Sequence, residues 1–144
     1  MDGVYAVHGI TFKIGKVGRA SAVLDMVAIK DLESFKPSVE SNVENWSPMD
    51  MLGWARAAMT GKKVSLSMTG KRNVGDPGND YIAGLAWKTG EDCASNLEVM
   101  VEGDTLKCDV IVDVKTPFGG DSTNISLLEF DLIFDGKPTY TPGV

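Results

Sequence analysis

Two segments of strict period-two alternation, joined by an apolar stretch, constrain this chain more than any other feature. Over Glu33–Glu44 the even positions are Ser34, Lys36, Ser38, Glu40, Asn42 and Glu44, whereas Phe35, Val39 and Val43 hold odd positions. Over Lys62–Lys71, Val64, Leu66 and Met68 alternate with Lys63, Ser65, Ser67, Thr69 and Lys71. Alternation at this period puts one set on each face of a strand. Each segment is therefore expected to be a strand with one buried and one solvated face. The connection Asn45–Gly61 is the reverse, crowding Trp46, Met49, Met51, Leu52, Trp54 and Met59 together. So apolar a stretch needs cover, from its own core or from a neighbour. Two readings stay open. Ser47-Pro48-Met49-Asp50 has the cap, first-turn proline and acid of a helix start, and Met51, Trp54, Ala55 and Ala58 follow at helical spacing up to Gly61. That is a short core helix, against which Gly53 counts by about 1 kcal/mol relative to Ala. The other reading is an inter-subunit contact loop, because aromatics and Met are enriched at interface cores.

The rest of the chain reads mainly as strand. Residues 2–20 place Val4, Tyr5, Val7, Ile10, Phe12 and Ile14 among glycines, which predicts one or two short strands or an extended arm. In Val23–Leu32, Leu24, Met26, Ala28 and Leu32 predict a strand that runs on into Glu33–Glu44, with Pro37 marking an edge or a bulge. Asn73–Asp80 is a turn or helix cap; its acids lack the ligand order of a calcium loop. Tyr81, Ile82, Leu85, Ala86 and Thr89 predict a helix over Asn79–Thr89, with Gly90 past its end. Alternation returns in Leu97, Val99 and Val101, in Leu106–Val114, and in Leu128–Phe134, where Glu129 and Asp131 occupy the other face. Thr116–Thr123 is a flexible connection, and Lys137–Val144 a tail. The expected class is mainly β (α+β): a β-sandwich or partly closed barrel with one flanking α-helix, as a single domain over residues 1–144.

Several functions are disfavoured. Net charge is −6, and no cluster of Lys and Arg exceeds Lys62–Lys63 or Lys71–Arg72, so gripping of nucleic acid is not expected. No apolar run is long enough to span a bilayer. The N-terminal residues lack the basic segment of a signal peptide, so the cytosol is the expected compartment, with Cys93 and Cys108 reduced and filling the core. No cofactor or metal is expected, since two cysteines and one histidine match no zinc spacing. His8 has no triad partner in sequence, there is no Gly-x-Ser-x-Gly elbow, and Gly61-Lys62 lacks the upstream glycine of a phosphate loop. Glu129 and Asp131 read as a solvated face rather than an acid–base pair.

The closing segment Gly119-Gly120-Asp121-Ser122-Thr123-Asn124, then Leu128-Glu129-Phe130-Asp131-Leu132, then Asp135-Gly136-Lys137-Pro138, resembles the C-terminal end of tailed-phage major tail proteins, the tail tube family. Gly61–Arg72, Gly75–Tyr81 and Trp87-Lys88 are similar to small tube proteins of phages and prophages of Gram-positive bacteria. The resemblance covers roughly Val4 to Pro142. It implies a tail-tube-type β-sandwich with a flanking helix, an N-terminal arm over about 1–20, and a stacking loop over about 42–62 that reaches the adjacent ring. It implies hexameric rings stacked into a hollow tube, with the inner sheets joined around the lumen. DNA crosses that lumen without specific binding. Implied partners are other copies of the chain, the tape measure, tail tip and tail terminator proteins, and sheath in a contractile tail. Implied locations are the virion tail and, during assembly, the host cytoplasm. The loop residues implied in ring-to-ring contact are Trp46, Met49, Met51, Leu52, Trp54 and Met59. The candidates for the lumen are Glu40, Glu44, Lys63, Ser65, Ser67, Asp109, Asp113, Glu129 and Asp131. Fixed negative charge there would repel phosphates, although Lys63, Lys71, Lys107 and Lys115 interleave with the acids.

Two other classes compete. A monomeric β-sandwich module that binds a small ligand or glycan needs a concave aromatic pocket, for which Trp46, Trp54 and Trp87 are the available indoles. An enzyme needs a pocket in which His8 converges with an acid.

Overall fold

Strand β6 (Asp104–Thr116) is the spine of the fold, and its alternating pattern explains why. Val110 and Val112 point into the core while Asp109, Ile111 and Asp113 point the other way. In the computed structural model, which describes residues 3–143, β6 pairs along one edge with β5 (Ala94–Val101). Its other edge takes β7 (Leu127–Phe134) on the C-terminal half and β8 (Thr139–Thr141) on the N-terminal half. With β1 (Thr11–Gly15), β2 (Met26–Ala28), β3 (Leu32–Trp46) and β4 (Arg56–Lys71), all pairs antiparallel, the order is β2-β1-β5-β6-β7-β4-β3. The sheet curls without closing into a barrel, bringing Phe12 of β1 against Phe35 of β3. This is the mainly β, one-helix class that the alternation predicts. Met1, Asp2 and Val144, at the ends of the predicted arm and tail, lie outside the described residues.

The core lies on the concave side. Phe12, Ile14, Leu66, Met68, Leu97, Val99, Leu128, Phe130 and Leu132 pack there with Ile82, Ala83 and Leu85. The last three come from helix α1 (Pro77–Gly84) and the 3-10 turn that follows it, Leu85–Trp87. The helix begins two residues earlier than the apolar spacing predicts. The Asp76 carboxylate caps it by accepting from Asn79 N at 3.0 Å, and Pro77 fills the first position. It ends earlier too, because Lys88 is extended and Gly90 takes φ +66°.

The joint between helix and sheet is polar. Asn79 is fully buried; its Oδ1 accepts from Arg72 Nη1 and Asn73 N, and its Nδ2 donates to the Lys30 and Lys71 carbonyls. Gly78 sits so close to the Ala28 carbonyl that a Cβ has no room. This close approach corrects the predicted strand over Val23–Leu32. Val23–Asp25 is a 3-10 turn, Met26–Ala28 is the short strand β2, and Asp31 reverses the chain at φ 63° before β3 begins at Leu32. β3 is thus separate from β2, and Pro37 is accommodated because β3 is an edge strand.

The largest correction concerns the reading of Asn45–Gly61 as a core helix. Pairing continues from Leu32↔Gly70 out to Trp46↔Arg56. The helix-start signal yields a single 3-10 turn, Met49–Met51, because Leu52 at φ 52° and Gly53 at φ 91° then reverse the chain. Ala57, Ala58 and Met59 pair with Asn45, Glu44 and Val43 instead of coiling, with an irregularity at Asn42/Val43 beside Thr60.

Candidate functional site

The polar residues of the long strands form one surface. Because directly paired residues share a face, the register can be read in rows. Glu40 lies opposite Lys63. Ser38, Ser65, Ile133 and Ile111 form the next row across β3, β4, β7 and β6. Lys36, Ser67, Asp131 and Asp113 form the one after it, followed by Ser34, Thr69, Glu129 and Thr116. Asp109 and Glu44 fall on the same face by strand parity, Glu44 far out beside Ala58. The structure therefore brings all nine residues singled out on these strands to one face, opposite the core. Sequence reading missed Ile111 and Ile133, which put an apolar pair into that face.

Charges on this face are partly paired. Asp113 and Asp131 stand directly opposite each other, an arrangement that costs a pleated pair roughly 0.2–1 kcal/mol. Lys115 offsets it: its Nζ lies 2.7 Å from Asp113, and the hydrogen bond and charge of Asp113, then the charge of Asp131, raise its pKa. Lys71 pairs with Glu33 at 3.3 Å.

Beyond Ser65↔Ile133, β7 stops and the β3–β4 hairpin continues alone. Nine residues of β4 project, about 30 Å at ~3.3 Å per residue. Val39, Val43 and Met59 share the core-side face of this arm yet are exposed, because nothing packs on it. This corrects the expectation that one face is buried along the whole of both strands. At the tip, Met49 is 98% exposed, Leu52 90% and Trp54 76%. The six apolar residues of the stretch are not one cluster. Met49, Met51, Leu52 and Trp54 form the tip; Met59 lies on the shaft beside Val43; Trp46 lies on the other face with the Arg56 guanidinium 5.5 Å from its ring centroid.

The opposite end of the same strands carries a second apolar surface that sequence reading missed. Where β4, β6 and β7 end, Val74, Trp87 and Phe118 are 81%, 76% and 67% exposed and line a groove of about 480 Å³ with Ala83, Gly84 and Pro117. Of the three, only Trp87 carries a sequence signal, as one of the indoles available to a ligand pocket and as part of the Trp87-Lys88 resemblance.

No catalytic arrangement is built among the described residues. His8 lines a groove of about 370 Å³ with Asp31 and Glu33, but Asp31 takes the Asn73 amide and Glu33 takes Lys71, so neither orients the imidazole. No group of His, Cys, Asp and Glu is placed to hold a metal among the described residues. Cys93 and Cys108 are free thiols whose pKa values are pushed up, first by burial. Trp46, Trp54 and Trp87 line no common pocket, since they stand on the shaft, at the tip and at the opposite end. No described helix is long and apolar enough to cross a membrane.

No family model and no curated protein matches this sequence. Its fold does match solved structures. A chain from the tail of an empty gene transfer agent particle, refined with C6 symmetry, aligns at TM-score 0.74 and 11% identity over 96% of this chain and 100% of that one. A chain of the virion of a native gene transfer agent particle aligns at 0.70 and 12% over 96% and 100%. A chain of the anti-feeding prophage baseplate, solved with sixfold symmetrisation, aligns at 0.58 and 9% over 97% of both. At these identities the likeness establishes a shared fold.

Proposed function

We propose that this chain is a structural tail protein of a phage-type particle, one that assembles into stacked hexameric rings forming a hollow tube. One observation carries the reading most: a sheet with a largely polar outer face runs out into a bare two-stranded arm with an apolar tip. That combination is costly for a monomer and useful to an assembly, because β3 also leaves an unpaired edge that another copy can cover. The fold shared with tail and baseplate chains supports the same reading.

In this assembly the nine polar-face residues line the bore. Glu40, Glu44, Asp109, Asp113, Glu129 and Asp131 supply fixed negative charge that keeps phosphates from adhering while DNA passes. Trp46, Met49, Met51, Leu52, Trp54 and Met59 are covered between rings. The chain works in the virion tail after assembly in the host cytoplasm. There it meets tape measure, tip and terminator proteins, and sheath in a contractile tail. The whole chain acts as one tube domain, with the segment that precedes β1 as its N-terminal arm.

Electron microscopy of concentrated, crosslinked protein tests the reading. Annular or tubular particles with sixfold class averages are expected. A strictly monomeric species that binds a glycan or small ligand at micromolar concentration would instead favour a ligand-binding module.

A further inference from the structure

We propose that the apolar tip of the β3–β4 arm seats in the Val74/Trp87/Phe118 groove of a second copy of this chain. This rests on the assembly reading above and names the receptor that the arm requires.

The placement argues for it. The tip follows Trp46↔Arg56 at one end of the hairpin, while Arg72 and Val74 follow Leu32↔Gly70 and Lys71↔Leu127 at the other. The groove's remaining wall comes from Pro117 and Phe118, directly after β6, and Arg72 N bonds Ser126 O to hold the two turns side by side. Tip and groove are thus separated by the length of the strands, about 45 Å at ~3.3 Å per residue. A copy cannot fold its tip into its own groove. A contact between unlike ends is heterologous, and such a contact propagates as a closed ring or an open filament rather than stopping at a dimer.

The two surfaces also match in size. Taking ~150–250 Å² for a large side chain and scaling by exposure, the tip offers roughly 450–750 Å² and the groove's three large side chains roughly 350–550 Å². Both fall below the about 800 Å² per partner of a stable pairwise interface. One contact is therefore weak, and several in parallel between two rings are strong. That suits a subunit that must stay unassembled until stacking begins. The groove itself is firm. Its Arg72 is tied at 2.8 Å to both Asn79 and Asp80, so the guanidinium is already neutralised and an apolar tip meets no unpaired charge.

The test is site-specific photocrosslinking of the full chain with p-benzoylphenylalanine in place of Met49, followed by mass spectrometry of covalent dimers. Adducts on Val74, Trp87 or Phe118 of a second copy are expected, and Phe118→Asp should lower their yield about tenfold. A parallel Val74→Asp variant guards against misfolding of either one, with circular dichroism as the check. Adducts on the partner's tip, on its β3 edge, or on a different protein in purified particles overturn the proposal. So does an absence of inter-copy adducts up to millimolar protein. Tubes with adducts elsewhere refute the groove and leave the tube reading standing; tip-to-groove adducts without rings do the reverse.

Discussion

Phe12 and Phe35 meet edge to face, ring centroids 4.9 Å apart and planes at 70°, although five strand pairings separate β1 from β3 along the sheet. The contact exists only because the sheet curls. It fastens the body end of the arm-bearing hairpin to the strand at the far side of the core. Such aromatic pairs add roughly 0.5–1.5 kcal/mol beyond area burial. Phe12→Ala, at a buried site, is expected to cost about 3–5 kcal/mol in urea unfolding. Phe35→Ala, at a half-buried site, should cost less. A double-mutant cycle should return a coupling near 1 kcal/mol; additivity would show that the rings do not help to hold the curl.

Asn79 satisfies four partners from a fully buried position. Asn79→Leu keeps the volume and strands the Lys30 and Lys71 carbonyls and the Asn73 amide. The expected loss is about 3 kcal/mol or more, since each buried unsatisfied group costs roughly 1–3 kcal/mol. Thermal unfolding checks it. A loss under 1 kcal/mol would mean that water replaces the amide.

Acid should loosen two joints. Arg72 holds the Asp80 carboxyl below its ordinary 3.8, chiefly through the side-chain hydrogen bond. Asp104 is lowered by the Gly143 amide and then by Tyr140, which clasp the C-terminal strand. Carboxyls lowered in the folded state stabilise it fully above their unfolded pKa, and the contribution is lost as pH falls through the folded pKa. The stability difference between wild type and Asp80→Asn should therefore be constant at neutral pH and shrink as the pH falls through and below the ordinary carboxylate range. A difference independent of pH would remove the charge from the explanation.

Asp113 and Asp131 face each other on the polar surface, with Lys115 paired to Asp113. Asp131→Asn should leave stability unchanged or raise it by a few tenths to about 1 kcal/mol, read from the denaturation midpoint. A clear loss would show that Asp131 serves the monomer rather than the surface.

Trp54 stands at the tip and touches no core. Trp54→Asp should shift stability by no more than about 0.5 kcal/mol while abolishing tubes in electron micrographs. Tubes of normal length from this variant would remove the tip from the assembly.

Much of this was legible in the residues. Period-two alternation over Phe35–Val43, Val64–Met68 and Leu128–Phe134 places side chains correctly on their faces, because the strand period is a property of the backbone alone. The same holds for the helix, whose start is displaced by two residues because a cap is a short-range hydrogen bond that apolar spacing does not register, and whose end comes five residues early, at Gly84. The prediction failed where local and long-range demands compete. Ser47–Asp50 carries a genuine helix-start signal, but Ala57–Met59 gain more by pairing with Val43–Asn45 across the hairpin than by one isolated helical turn. Burial failed for a different reason. Val39, Val43 and Met59 are as apolar as Val64, yet β7 ends before it can shelter them, and strand length is set by partners far along the chain. By itself the sequence determined which residues share a face and that an apolar stretch between two amphipathic strands needs a cover. Only the tertiary structure decided that this stretch is a bare arm, that Val74, Trp87 and Phe118 gather at the opposite end, and that nine polar side chains from four strands form one surface. Those outcomes depend on register and curl, which are fixed by long-range pairing, and no local pattern encodes them.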